Sequence, residues 1–342
     1  MSRTNVARVG FGLLAALFAA SVPRSTASTW RTSSARALSL LFSPYKDVTI
    51  NMDWNTNTIS SLLTGSRQPV TQVMPPGNRV LTWAFATGEC GSENWGGVPG
   101  AQLAAANVQA FVQAGKQYII STGGAAGAFT CGSDAGFATF MNRYKSAGML
   151  GVDFDIEAKQ SPAVIKNLVA RVKAARTAFP DMRFSFTLAT LGAASRGNQL
   201  NAQGSAVLQA LRDSGMGWNG LLVNLMVMNY GGASVCTMAS NGGCDMGRSA
   251  VNAARALNAT WGVPYSSIEL TPMIGGNDIT REVFKLSDVQ VVTQFARASG
   301  LAGLHLWSLD RDTDCPPGPA SPTCNSYGQA GVLGFTRAFM AS

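Results

Sequence analysis

An acid recurs at every second residue of Gly151-Val-Asp153-Phe-Asp155-Ile-Glu157. Successive side chains of a β-strand alternate faces, so Asp153, Asp155 and Glu157 share one face and Val152, Phe154 and Ile156 the other. The apolar face can pack against helices. Three adjacent carboxylates cannot all ionise at low cost, so at least one pKa should rise and leave a protonated acid near neutral pH. A protonated acid beside charged neighbours is what general acid catalysis requires. The bland alternative is a solvated edge strand or a cation site.

Positioning such a strand needs a scaffold, and the chain reads as alternating β and α units. Strands are expected at Val48–Met52, Val80–Phe85, Gln117–Ser121, Gly151–Glu157, Arg183–Ala189, Leu221–Tyr230, Ile268–Ile274 and Gly303–Leu309. Helices are expected between them, at Leu103–Ala114, Gly136–Ala147, Pro162–Ala178, Gly204–Ser214, Arg248–Leu257 and Leu286–Ala298, with a closing helix over Gln329–Met340. Eight such units predict an α/β protein with a closed (β/α)8 TIM barrel, whose chemistry sits at the C-terminal ends of its strands. A doubly wound sheet would usually bring a phosphate loop, and Gly123-Gly124-Ala125-Ala126-Gly127 lacks that pattern.

Further candidates fall at strand ends. Ser121-Thr-Gly123-Gly124 closes the third strand, where glycines allow a sharp turn and close approach. Asn224, Met226, Met228 and Tyr230 would share a face on the sixth, bringing Tyr230 to the rim. Trp307 near the end of the eighth offers a flat apolar surface for a sugar ring. Each has an ordinary reading: a βα turn, core filler for Met226 and Met228, simple packing for Trp307. Gathered at one mouth, acids, a Tyr and a Trp suggest a glycosidase. Asp53, Trp54, Glu89, Trp95, Asn277 and Asp278 are outer candidates for lining the groove, with structural roles the alternative for the two tryptophans.

The rest of the chain excludes other chemistries. Residue 305 is its sole histidine, which argues against Ser-His-Asp and Cys-His catalysis and makes His305 a barrel-interior or structural residue. Net charge is +8, yet 13% of residues are charged and no basic cluster appears, so no nucleic-acid partner is expected. Cys236 with Cys244 and Cys315 with Cys324 are close in sequence and expected as local disulfides, leaving Cys90 with Cys131; other pairings are open. No C-x-x-C spacing supports zinc, and neither metal nor cofactor is expected. Arg3 and Arg8 precede an apolar run, Val9–Val22, and Ser25-Thr26-Ala27 has the form of a cleavage site. Residues 1–27 therefore read as a signal peptide, 28–42 as a leader and 43–342 as the barrel of a secreted chain, expected to be a monomer with no membrane partner after cleavage.

Leu150-Gly-Val-Asp153-Phe-Asp155-Ile-Glu157 resembles the D-x-x-D-x-D-x-E signature of glycoside hydrolase family 18, the chitinases. Ser121-Thr-Gly-Gly124 is similar to that family's S-x-G-G motif, Met228-Asn229-Tyr230 to its M-x-Y motif, and Trp307 to the Trp of its last strand. Thr82-Trp-Ala-Phe85, Thr271-Pro-Met-Ile274 and Leu306-Trp-Ser-Leu-Asp310 look like phrases of secreted bacterial-type members. The chain departs from the family pattern at Leu150, where an Asp is usual, and at Gly231, where an Asp often follows the Tyr.

The resemblance implies substrate-assisted, retaining cleavage of β-1,4-linked N-acetylglucosamine polymers, with chitin or chitooligosaccharide as the substrate partner. Glu157 would be the general acid. Asp155 would orient the substrate acetamide, Asp153 would share a proton with Asp155, and Tyr230 would hydrogen-bond the acetamide oxygen. Trp307 would floor the sugar site, with Ser121, Gly123, Gly124, Met228 and Asn229 beside it. The short segment Gly275–Ala302 leaves no room for a large insertion and predicts a shallow, open groove and endo cleavage. Rival readings are a lysozyme-like or N-glycan-releasing hydrolase, and an inactive chitinase-like lectin or inhibitor.

Overall fold

The computed structural model describes residues 1–2, 40–157, 160–192, 200–231, 235–240 and 242–342. The chain divides into Met1–Ala37 and Leu38–Ser342. The expected signal beyond Ser2, its expected cleavage site and most of the expected leader lie outside the described residues. Among those described, no helix is long and apolar enough to cross a membrane.

Eight parallel strands close a barrel: β1 (Leu41–Asp47), β2 (Val80–Ala86), β3 (Gln117–Gly123), β4 (Met149–Asp155), β5 (Arg183–Ala189), β6 (Leu221–Met226), β7 (Ile268–Thr271) and β8 (Gly303–Leu306), with β1 paired to both β2 and β8. Among the described residues, eight α-helices alternate with them: α1 (Val70–Val73), a single turn, then α2 (Gly100–Gln113), α3 (Asp134–Tyr144), α4 (Pro162–Ala178), α5 (Ala202–Asp213), α6 (Met246–Trp261), α7 (Leu286–Ser299) and α8 (Gly334–Ala341). The expected (β/α)8 TIM barrel is therefore the fold.

Local chemistry starts and stops these helices. Ser133, Ser161, Asn201 and Asp245 each accept an otherwise unpaired backbone N–H at an N-terminus, and Pro162 occupies the first turn of α4. Gly262 and Gly300 end α6 and α7 in the left-handed conformation. The helices bury apolar faces against the outer barrel wall. Phe154 of β4 meets Phe137 of α3 at 6.1 Å and Phe186 of β5 at 5.1 Å, while Trp83 of β2 meets Phe111 of α2 at 4.8 Å. Disulfides join Cys90–Cys131, Cys236–Cys244 and Cys315–Cys324, the expected pairings.

Several boundaries are corrected. The first strand is Leu41–Asp47, two residues into the stretch assigned to the leader, and Val48–Ile50 is a turn. Pro44 and Lys46 hide it, since neither suits a buried strand. Lys46 is tolerated because its ammonium pairs with Asp310 at 2.7 Å and donates to the Asp47 and Ile50 carbonyls. The sixth strand ends at Met226, four residues before its expected end.

The lumen is polar. Near the N-terminal ends of the strands, Arg183 pairs with buried Glu269, whose Oε2 also lies 3.4 Å from His305 Nε2. His305 Nδ1 contacts the Ser43 carbonyl at 2.8 Å, so the lone histidine is a barrel-interior residue. Burial opposes the Glu269 charge, but Arg183 and His305 outweigh it and hold the carboxyl at about 2.

Candidate active site

Above that floor the acids of β4 rise in sequence. Asp153 stands level with Ser121 on β3 and Ser185 on β5, and Asp155 with Gly123 and Thr187. Each Asp153 oxygen accepts from two hydroxyls: Oδ2 from Tyr45 (2.9 Å) and Ser121 (2.7 Å), Oδ1 from Ser185 and Thr187 (both 2.7 Å). These donors replace the water that burial removed. Asn224 extends the network, donating to Tyr45 Oη and Thr187 Oγ1, and its own oxygen accepts from Thr271. Asp153 is thus bonded to the barrel wall on both oxygens.

Asp155 differs. It is 5% exposed and its Oδ1 is buried without a hydrogen-bond partner. Burial pushes its pKa well up, and the charges of Glu157 and Asp153 push the same way. Glu157 lies two residues beyond the end of β4, exposed at the rim. Desolvation raises its pKa, the Ala125 amide partly offsets this, and the Asp278 charge raises it further. The three acids are therefore unequal: one bonded to the wall, one buried with an open oxygen, one at the mouth holding a proton above the ordinary carboxylate range.

Asp155 and Glu157 open into a cavity of about 420 Å³ whose lining also includes Tyr45, Phe85, Asp278 and Trp307. Trp307 stacks on Phe85 with centroids 5.5 Å apart, making an aromatic wall. Met226, Met228 and Met273 supply further apolar surface. The glycines are needed. A Cβ on Gly123 (φ +88°) would sit 2.1 Å from the Asp155 carbonyl oxygen, and one on Gly124 (φ +80°) 2.8 Å from the Phe85 ring. The chain can thus turn beside Asp155 while Gly124 N–H donates to that same carbonyl at 3.1 Å.

Of the sequence candidates, Asp155, Glu157, Met228, Asn229 and Trp307 line the cavity, and Ser121, Asp153, Gly123 and Gly124 support it from behind. Tyr230 is a correction. Past Met226 the strand alternation no longer holds, and Asn229 adopts a left-handed φ of 51°. Tyr230 is buried in the core outside the cavity lining, with Glu282 and Asp288 as its charged neighbours. Asp278 alone of the six outer candidates lines the cavity. Trp95 is core, donating to Tyr144 Oη at 2.8 Å, and Asn277 is buried, bonding Met273 and Gly275 carbonyls. Asp53, Trp54 and Glu89 lie outside the lining, Trp54 on the surface. Tyr45, Phe85 and Thr187 went unnoticed in the sequence. A β1 registered at Leu41–Asp47 would have turned Ser43 and Tyr45 into the lumen.

No family model matches the chain. It is 30% identical over 266 residues to endochitinase 11 of Metarhizium anisopliae, covering 71% of this chain and 48% of that protein. It is 30% identical over 240 residues to a probable bifunctional chitinase/lysozyme of Escherichia coli strain K12, covering 64% of this chain and 26% of that protein. The chain thus spans about half the length of one curated relative and about a quarter of the other. Among solved structures, the catalytic domain of the hyperthermophilic chitinase from Pyrococcus furiosus superposes with a TM-score of 0.69 at 23% identity, over 88% of this chain and 94% of that one. That likeness is one of fold.

Proposed function

We propose that this chain, which belongs to glycoside hydrolase family 18, hydrolyses β-1,4-linked N-acetylglucosamine polymers such as chitin. The observation that carries the reading is the pairing of two unlike acids in one cavity: Glu157 at the mouth, its pKa raised by desolvation, and Asp155 buried beside it with an oxygen left open. Glu157 protonates the glycosidic oxygen as the bond to the anomeric carbon breaks. The carbonyl oxygen of the substrate's own acetamide bonds to that carbon, giving a cyclic oxazolinium ion. The open Asp155 oxygen accepts the acetamide N–H and faces the positive charge that develops. Water then adds to the anomeric carbon as the bond from that carbon to the acetamide oxygen breaks and the acetamide re-forms, the water's proton passing to the Glu157 carboxylate; two inversions retain the configuration. Trp307 and Phe85 supply the apolar floor under the sugar. Asp153 holds the geometry through its four hydroxyl bonds.

Endo cleavage is part of the proposal, since only a two-residue hairpin (Gly275–Gly276 with Val283–Phe284) and α7 lie between β7 and β8. Secretion is another part, resting on the Arg3/Arg8 and Val9–Val22 pattern together with three disulfides. A lysozyme-like activity is the second reading, favoured by the name of the Escherichia coli relative; peptidoglycan also carries the acetamide. Turnover of fluorogenic chitotriose, chitin and peptidoglycan, with Glu157→Gln beside the native protein, tests both. The variant is expected to lose at least about a hundredfold in turnover while still binding chitooligosaccharide. Near-native turnover by Glu157→Gln would remove the acid assignment.

A further inference from the structure

The loop after β6 and the hairpin after β7 are joined side by side at the cavity. Asn229 Nδ2 donates to Asp278 Oδ2 at 2.8 Å, and the Asp278 backbone N–H donates back to Asn229 Oδ1 at 2.9 Å. Asn229 N–H donates to Asn277 Oδ1, and buried Glu282 accepts from Tyr230 and Gly231 N–H at 2.8 and 3.0 Å. Asn229 and Asp278 both line the cavity that Glu157 opens into.

An amide at 229 matters. It donates to a carboxylate, which a carboxylate in its place could not do, so the negative charge of this pair rests on Asp278. The ionisable groups lining the cavity are Tyr45, Asp155, Glu157 and Asp278, and no Lys or Arg lines it among the described residues. Tyr45 stays neutral, its phenol raised by burial and by Asp153 and Asp155. Asp153 stands behind Asp155. Arg311 is buried behind the hairpin, donating to the Ile274 and Gly276 carbonyls, where it feels the Asp278 charge. Glu157 therefore faces acids from its own strand and one acid from the β7 side.

We propose that Asp278, clasped by Asn229, is a positioning residue that keeps the proton on Glu157 between turnovers. The proposal rests on the catalytic reading of Glu157. It explains how a chain without an acid at 229 or 231 still places a carboxylate in the cavity of its proton donor: it comes from the neighbouring βα loop.

The test is the pH dependence of kcat/KM on fluorogenic chitotriose. In Asp278→Asn the alkaline limb is expected to move down by about half a pH unit, the size of an exposed charge–charge interaction. Turnover at acidic pH should change little. Asn229→Gly tolerates the left-handed backbone but removes the clasp, and should shift the limb in the same direction by less; Asp278→Glu should restore part of it. A merely structural role would lower activity at all pH values without moving the limb. If Asp278→Asn and Asn229→Gly both fold and both keep the native limb, the assignment is overturned. Glu157→Gln, assayed alongside, separates the failures. An active Glu157→Gln removes the catalytic reading itself, whereas an inactive one with an unmoved Asp278→Asn limb removes the Asp278 proposal alone.

Discussion

Two tyrosines separate the residues that serve the cavity from those that pack near it. Tyr45 Oη donates to Asp153 and accepts from Asn224. Tyr45→Phe deletes both bonds, leaving Asp153 one donor short in the core. A loss of about 1.4 kcal/mol in holding the acid corresponds to roughly tenfold in rate, so kcat should fall by about that factor. Tyr230 is buried in the core outside the cavity lining, and Tyr230→Phe, which keeps its ring and removes only the hydroxyl, should leave kcat/KM within about twofold of native. Steady-state assays of both variants check this, and the reverse order would restore Tyr230 to the site. The Asp153, Asp155 and Glu157 face was legible because period-two spacing is local and survives any fold that makes the segment a strand. Tyr230 was misplaced because that same alternation was carried past Met226, where the strand had ended.

Elements position these residues through turns that few side chains allow. The turn from β3 runs through Gly123 and Gly124 beside Asp155. Gly123→Ala forces a positive φ on a residue with a Cβ and drives that atom into the Asp155 carbonyl, which is backbone and cannot step aside. The cost is expected at about 1–3 kcal/mol from the conformation alone, with the clash added. Thermal unfolding should register it as a lower Tm, and kcat should fall because Asp155 moves with its carbonyl. An unchanged Tm and kcat would show that the turn does not set Asp155. The barrel itself was readable from the alternation of strands and capped helices. β1 was not, because its stability depends on a long-range ion pair: Lys46 is acceptable inside only with Asp310, 264 residues away in sequence and invisible to local pattern. The role of Asp278 was equally hidden, since its partner Asn229 belongs to another strand's loop.

Across the whole molecule, buried acids set the response to pH. Glu269 keeps its charge down to about 2, against 4.5 when unfolded, so its stabilising contribution is present above pH 4.5 and is lost as pH falls toward 2. Asp310 is raised from 3.8 to about 6 by burial, against the pull of Lys46; its contribution is complete below 3.8 and is lost as pH rises through 6. Asp155, Glu157, Asp288 and Asp312, all raised chiefly by burial, act in the Asp310 direction. The melting temperature should therefore peak near pH 4 to 5 and fall on both sides, and Glu269→Gln should flatten the acidic fall. A Tm that climbs steadily to pH 8 would contradict this. The four-hydroxyl grip on Asp153 reaches β1, β3 and β5, so this acid works as a lumen cross-tie as well as an active-site neighbour. Glu157, at the rim, has the Ala125 amide as its partner and joins no second strand among the described residues. Gene duplicates drifting toward sugar capture without cleavage would then shed the rim acid readily and retain the tied one, so silenced descendants of this barrel should still carry the inner aspartate as a relic of its architectural duty.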